Sequence, residues 1–213
     1  MNISIDAHPL LEPVLLLVQW PTHLGQMNTL PDLANWFSED ASPPLDRSDE
    51  VKPAVRNLLR HGGFKPSGRS KPASEYLVKA AERGVMGSIN PAVDCCNVAS
   101  LWSGLPISVV DVDKGTGPWR IGLAEADTIY VFNPSGQEIN ISGLISLFDA
   151  DGACGGPVKD SQRTKTHEGT TLTLSVVWGT RDLNGRSEAT AEWYTALMVS
   201  LGAHVERITP AAP

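Results

Sequence analysis

The run Ile107 to Val112 constrains the fold most. It is almost continuously apolar and β-branched, and too short for a typical helix, so it reads as a strand covered on both faces. Val14 to Val18 reads as a second buried strand, and Leu172 to Val177 is strand-like again. With 213 residues, of which 41% are apolar, the chain can build one substantial core or two small lobes sharing one.

Around these strands the sequence predicts helices in its first half and more sheet in its second. Leu30 to Phe37 fits a short helix, and Ser38 to Arg47, with Pro43 and Pro44, a solvated linker. Ser48 is placed to cap a helix from Asp49, with Val51, Val55, Leu58 and Leu59 on one stripe and Gly62 and Gly63 at its end. Pro72 opens another helix, with Glu75 in its first turn and Tyr76, Leu77 and Ala80 as its inner face. Asn90 caps a fourth, with Pro91 as first helical residue and Gly104 as the stop. Trp119 to Leu123 and Thr128 to Phe132 read as strands, and Gly136 to Asp151 carries no clear period. Ser187 to Leu201 is the last long helix, and Val205 to Ile208 a closing strand. The expected class is α+β without a βαβ repeat: one domain over 1–213, its core at about 50–208, residues 1–49 an extension packed on it, and 209–213 a loose tail.

The net charge of −7 and the lack of any long basic run weigh against strong, sequence-independent binding to nucleic acid, DNA included, which needs many phosphate contacts, though they leave room for a local basic patch. Leu10 to Trp20 contains Glu12 and Pro13 and is too short to span a bilayer, and the N-terminus has no basic leader. Three cysteines, two of them adjacent, offer neither metal-pair spacing nor a disulfide framework. A cytoplasmic protein without membrane partner, metal or cofactor is expected.

Three polar segments carry the chemistry. From Gly63 to Ser74, the cations Lys65, Arg69 and Lys71 and the hydroxyl of Ser70 lie just before a helix N-terminus, where amides and the helix dipole favour anions. The alternative is a docked loop in which Ser70 caps the helix. In the second segment, Asn90, Asp94 and Asn97 share roughly one helix face and suit either a substrate ammonium or the pinning of nearby backbone. The third runs from Gly156 to Glu168. Its Lys159, Asp160, Arg163, Lys165 and Glu168 suit an ion-pair network at a sheet rim. Ser161, Thr164 and Thr166 are potential donors to a carbonyl or a water, and His167 is the nearby imidazole that would serve as a base. Nothing there reads as a nucleophile elbow or triad.

In this order the segments resemble the B3/B4 domain of bacterial phenylalanyl-tRNA synthetase beta chains, and more closely the free-standing proteins built from that domain alone. The resemblance rests on Arg60 to Tyr76, on Ile89 to Asn97, on Ser103 to Ile107 with Asp111 and Asp113, and on Lys159 to Thr166. It implies an α+β module that hydrolyses mischarged tRNA in trans, or a descendant that kept only ligand or RNA binding, with the acceptor end of an aminoacylated tRNA or a small amino-acid-like ligand as partner; a structural or interaction protein is the further alternative. It also implies a pocket drawn from Asn90, Asp94, Asn97, Ser108, Lys159, Arg163 and Ser175. Two positions depart from the family: Ser108 stands where the synthetase domain has a histidine, and Ser175 where it has a glutamate.

Overall fold

Along residues 1–211, which the computed structural model describes, the elements are β1 (Ile3–Ile5), β2 (Val14–Gln19), α1 (Leu33–Trp36), α2 (Val51–Arg60), α3 (Ala73–Glu82) and α4 (Pro91–Ser103), then β3 (Ile107–Asp111), β4 (Trp119–Leu123), β5 (Ile129–Val131), β6 (Glu138–Asn140), β7 (Ile145–Asp149) and β8 (Gly152–Gly155), and finally β9 (Leu172–Val177), α5 (Arg186–Ser200) and β10 (His204–Arg207). This is a mixed α+β architecture. One sheet runs β1-β4-β7-β8 and a second β10-β2-β9-β3, while β5 and β6 form a separate hairpin.

The layering follows from register. In the second sheet Ser108 lies opposite Val176, and Val109 opposite Ser175. Alternation along each strand therefore turns Ser108, Val110 and Val176 to one face and Val109 and Ser175 to the other. On the second of these faces Ser175 Oγ meets Tyr194 OH of α5 at 2.9 Å, and Cys96 of α4 bonds the carbonyl of Ile107. On the first face the other sheet closes in. A Cβ on Gly155 of β8 would lie 3.4 Å from Val110 and 3.6 Å from Ser108. The layers are thus helices, second sheet, first sheet, and β3 is buried at every position, as its composition requires.

Four boundaries differ from expectation. Residues 1–49 are not an extension, because β2 sits inside the second sheet between β10 and β9. The expected loose tail is tied as far as Ala211, whose amide donates to Ile3 O; residues 212 and 213 of that tail lie outside the described residues. Gly136 to Asp151 holds two short strands, β6 and β7, joined by a turn, which is why no single period ran through it. Ser48 does not cap α2: its hydroxyl reaches Glu50, and Glu50, the residue before the helix, makes no side-chain cap either. The expected cap at Asn90 is present, its Oδ1 accepting from the Val93 amide at 3.1 Å.

The end of α2 is held by a glycine-on-glycine contact. A Cβ on Gly143 would lie 2.1 Å from Gly62 O, and Gly143 has φ +71. Gly143→Ala therefore forces both a strained backbone and a backbone clash. A loss of about 2–3 kcal/mol is expected, read as a lowered urea midpoint with an unchanged slope.

Candidate functional site

Each sheet ends in an open edge here, β3 in one and β8 in the other. The Trp178 amide bonds Pro106 O at 2.9 Å, so the even-numbered residues of β3 exchange bonds with β9. The Val109 amide is left pointing off the edge. The segment after β8 covers both edges. Asp160 Oδ2 accepts from Val109 N at 3.3 Å and Oδ1 from Gly156 N at 3.0 Å, so one carboxylate joins the two sheets. The single Ser108 hydroxyl proton is shared between Gly156 O, 3.2 Å away, and the neighbouring carboxylate, and Ser108 Oγ receives the Trp178 indole N–H at 2.9 Å. Asp160 is half-buried with its carboxylate turned inward. Burial pushes its pKa up to about 6, against the Ser108, Gly156 and Val109 hydrogen bonds and the positive charge of Lys165.

Cations gather at the mouth of this seam. Lys159 Nζ stands 3.6 Å from the centroid of the Phe132 ring, and Lys165 Nζ donates to Phe132 O at 2.5 Å. The Tyr130 hydroxyl donates to the Lys159 carbonyl. Burial lowers the Lys159 pKa, and the nearby charges of Arg69 and Lys165 lower it further. Burial lowers Lys165 too, with Asp160 opposing. Among the described residues none of Arg69, Lys159 and Lys165 has a carboxylate within ion-pair distance. The expected rim network is therefore absent around these two lysines: the one seam carboxylate is spent on backbone amides.

The other expected site residues divide by what already holds them. Arg163 forms a bidentate pair with Asp149, 2.7 Å at each nitrogen, and clamps the β7–β8 turn. Burial opposes ionisation of Asp149, yet Arg163 and the Thr116 and Asp151 amides hold its pKa below the usual value. Ser161 Oγ accepts from the Arg163 amide, and Thr164 Oγ1 donates to Cys154 O at 2.9 Å, so both hydroxyls serve the 3-10 turn at Gln162–Thr164. His167 is not simply solvated. Its Nε2 lies 3.2 Å from the buried Asp111 carboxylate, which also accepts from Thr170 Oγ1 at 2.6 Å, and its Nδ1 accepts from Gly169 N at 3.1 Å. With both nitrogens engaged, the imidazole orders its own loop.

Asn90, Asp94 and Asn97 do not act as one face. Asn90 Nδ2 donates to Thr166 Oγ1 at 3.1 Å, tying α4 to the seam segment. Asp94 is fully buried and accepts from Ile89 N at 2.8 Å, Ser88 Oγ at 2.6 Å and Thr29 Oγ1, which leaves it holding loops. Asn97 is half-buried farther along α4. Ser175 faces α5, across the sheet from Ser108, so the two do not line one pocket. In the basic loop, Ser70 does not cap α3; the residue before that helix is Pro72, and the Ala73 amide is taken by Pro157 O at 2.8 Å. Lys65 is exposed, and Lys71 lies beside Lys79 of α3, whose charge lowers its pKa. Tyr130, Phe132 and the Val109 amide were missed in the sequence because they reach the site only through tertiary contact. Among the described residues no group of three His, Cys, Asp or Glu side chains is arranged to hold a metal, and no helix is long and apolar enough to cross a membrane.

No protein-family model matches the chain, and no curated protein matches it by sequence. Among solved structures it is similar to an N-terminal fragment of the phenylalanyl-tRNA synthetase beta-subunit from Pyrococcus horikoshii. The TM-score is 0.54 at 11% identity, over 99% of this chain and 54% of that one. The chain thus spans about half the length of that structure, and at this identity the likeness speaks for the fold alone.

The raised Asp160 pKa has a defined sign in stability. The folded state holds this proton more tightly than the unfolded chain, whose value is near 3.8. Its contribution is full below about pH 4 and is lost as pH rises through about 6. Asp149, with its lowered value, contributes in the opposite sense and loses stability as pH falls. Asp160→Asn should remove the first trend and keep the second. Between about pH 5 and about pH 7.5 the wild-type urea midpoint should fall relative to that of the variant.

Proposed function

We propose that the seam mouth binds the acceptor end of an aminoacylated tRNA in a B3/B4-like domain, and that the ester is hydrolysed there in trans. The observation that carries the reading is the cluster of Arg69, Lys159 and Lys165 without carboxylate partners, in a chain of net charge −7. Cations held together against their own repulsion suit terminal phosphates, and Phe132 beneath Lys159 offers a stacking surface. The solved structure similar in fold is a fragment of a tRNA synthetase beta-subunit, which supports the same direction.

In this reading water attacks the ester carbonyl, a C–O bond forms to water, and the bond to the terminal ribose oxygen breaks. Asp160 takes the proton from water and returns it to the departing ribose oxygen. With a pKa of about 6 the carboxylate is mostly ionised at neutral pH and still a competent base. Each of its oxygens keeps acceptor capacity beyond the amide it already receives.

The second reading, a module that binds without catalysis, is favoured by a specific observation: Ser161, Thr164 and His167 are all engaged by the chain itself. A panel of mischarged tRNAs separates the two. Lys159→Ala with Lys165→Ala should weaken binding by about tenfold or more and flatten its salt dependence. Asp160→Asn should slow amino-acid release by about a hundredfold, with binding within about threefold of wild type. No release above the uncatalysed rate for any member leaves the binding module alone. Unchanged affinity in the lysine variant sinks both readings.

A further inference from the structure

The helical side carries two neighbouring cavities beside the linker 38–48. Arg186 fixes that linker by donating to Ser103 O at 2.7 Å and to Asp46 O. Arg47 then lies over the Trp102 ring, its guanidinium carbon 4.7 Å from the centroid. On either side of Arg47 is a cavity. One, of about 360 Å³, lies between α2 and α3 and is lined by Val51, Val55 and Pro72. The other, of about 510 Å³, lies between α1, α3 and α4 and is lined by Phe37, Met86, Leu101 and Trp102. Arg47, Val78 and Glu82 line both. The volumes fall in the range of roughly 300–1,000 Å³ usual for small-ligand clefts.

Of the charged residues around the two cavities, Asp49, Lys52, Glu75 and Lys79 line the first alone and Glu39 the second alone. Arg47 and Glu82 are of opposite sign, both are exposed, both line both cavities, and among the described residues neither forms an ion pair. Two opposite charges held near each other but out of contact match a ligand that carries both charges itself. A carboxylate fits the guanidinium fork, which stacking on Trp102 keeps oriented. An ammonium fits Glu82, and Phe37, Met86, Leu101 and Trp102 supply apolar and aromatic wall in the second cavity, beside Ser38 and Glu39.

We infer that this junction binds a zwitterionic small molecule with an apolar body, an α-amino acid with a branched or aromatic side chain: carboxylate on Arg47, ammonium on Glu82, side chain against Trp102, Met86 and Leu101. The site lies apart from the seam and does not rest on the seam's assignment.

Ligand-observed NMR titration of the full chain tests this, with L-leucine as probe and 4-methylpentanoate and 3-methylbutylamine as analogues lacking one charge each. Leucine should bind, each analogue about tenfold more weakly, and Arg47→Ala and Glu82→Gln should each cost about tenfold. Glu82 is exposed, so Glu82→Gln should match wild type in thermal midpoint, and Arg47→Ala, which loses its Trp102 contact, should stay within about 2–4 °C of it. Arg47→Ala should leave amino-acid release from charged tRNA as it is in wild type, which separates this site from the seam. Three results overturn the inference. The first is no leucine binding at about 10 mM, near the weak limit of a specific site. The second is analogue affinity equal to that of leucine. The third is leucine binding that survives both variants, or that is lost instead in Lys159→Ala with Lys165→Ala.

Discussion

Two sheets that each end in an open edge share one core only if the amides along those edges find acceptors. Asp160 supplies them, with one oxygen on Val109 of the second sheet and the other on Gly156 just beyond β8 of the first. Much of what surrounds the seam is arranged about that carboxylate. Gly155 has no side chain because a Cβ there would come within 3.2 Å of Asp160 Oδ1. Ser108 reaches the carboxylate from the face that meets the first sheet, and the Trp178 indole fixes the serine in turn. Arg163 and Thr164 hold the turn that follows, so the carboxylate has little room to swing away.

The same arrangement explains how an acidic protein keeps a basic spot. Had Asp160 paired with Lys159 or Lys165, one of the three cations at the mouth would be cancelled. Because its oxygens go to backbone amides, neither lysine is ion-paired with it, while their backbone is pinned by Tyr130 and Lys114. Surface acids farther than about a Debye length, roughly 8 Å at physiological salt, scarcely cancel such a local field. Net charge is a poor guide to what this one face attracts.

The strands Ile107 to Asp111, Val14 to Gln19 and Leu172 to Val177 were legible in the sequence because burial on both faces leaves an apolar, β-branched signature. The Asn90 cap was legible because it is local chemistry between residues three apart. Partnership across the fold was not. Asp94 reads as a receptor for a ligand on its own helix, yet Thr29 and Ser88 occupy it. Ser108 and Ser175 read as two sides of one pocket, yet strand alternation combined with register puts them on opposite faces of a sheet. Arg163 and His167 look available until Asp149 and Asp111, from other strands, claim them. In each case the residue type was right for binding and the chain itself was the partner.

The position of β2 bears on how the protein is made. Its neighbours, β9 and β10, are formed by residues 172–177 and 204–207, so an early strand is flanked on both sides by late ones. During synthesis Val14 to Gln19, an apolar strand with both edges open, must wait for most of the described chain before either partner exists. Pairings so distant in sequence close slowly and leave sticky edges exposed meanwhile. The second sheet is therefore completed only after Arg207 has been added.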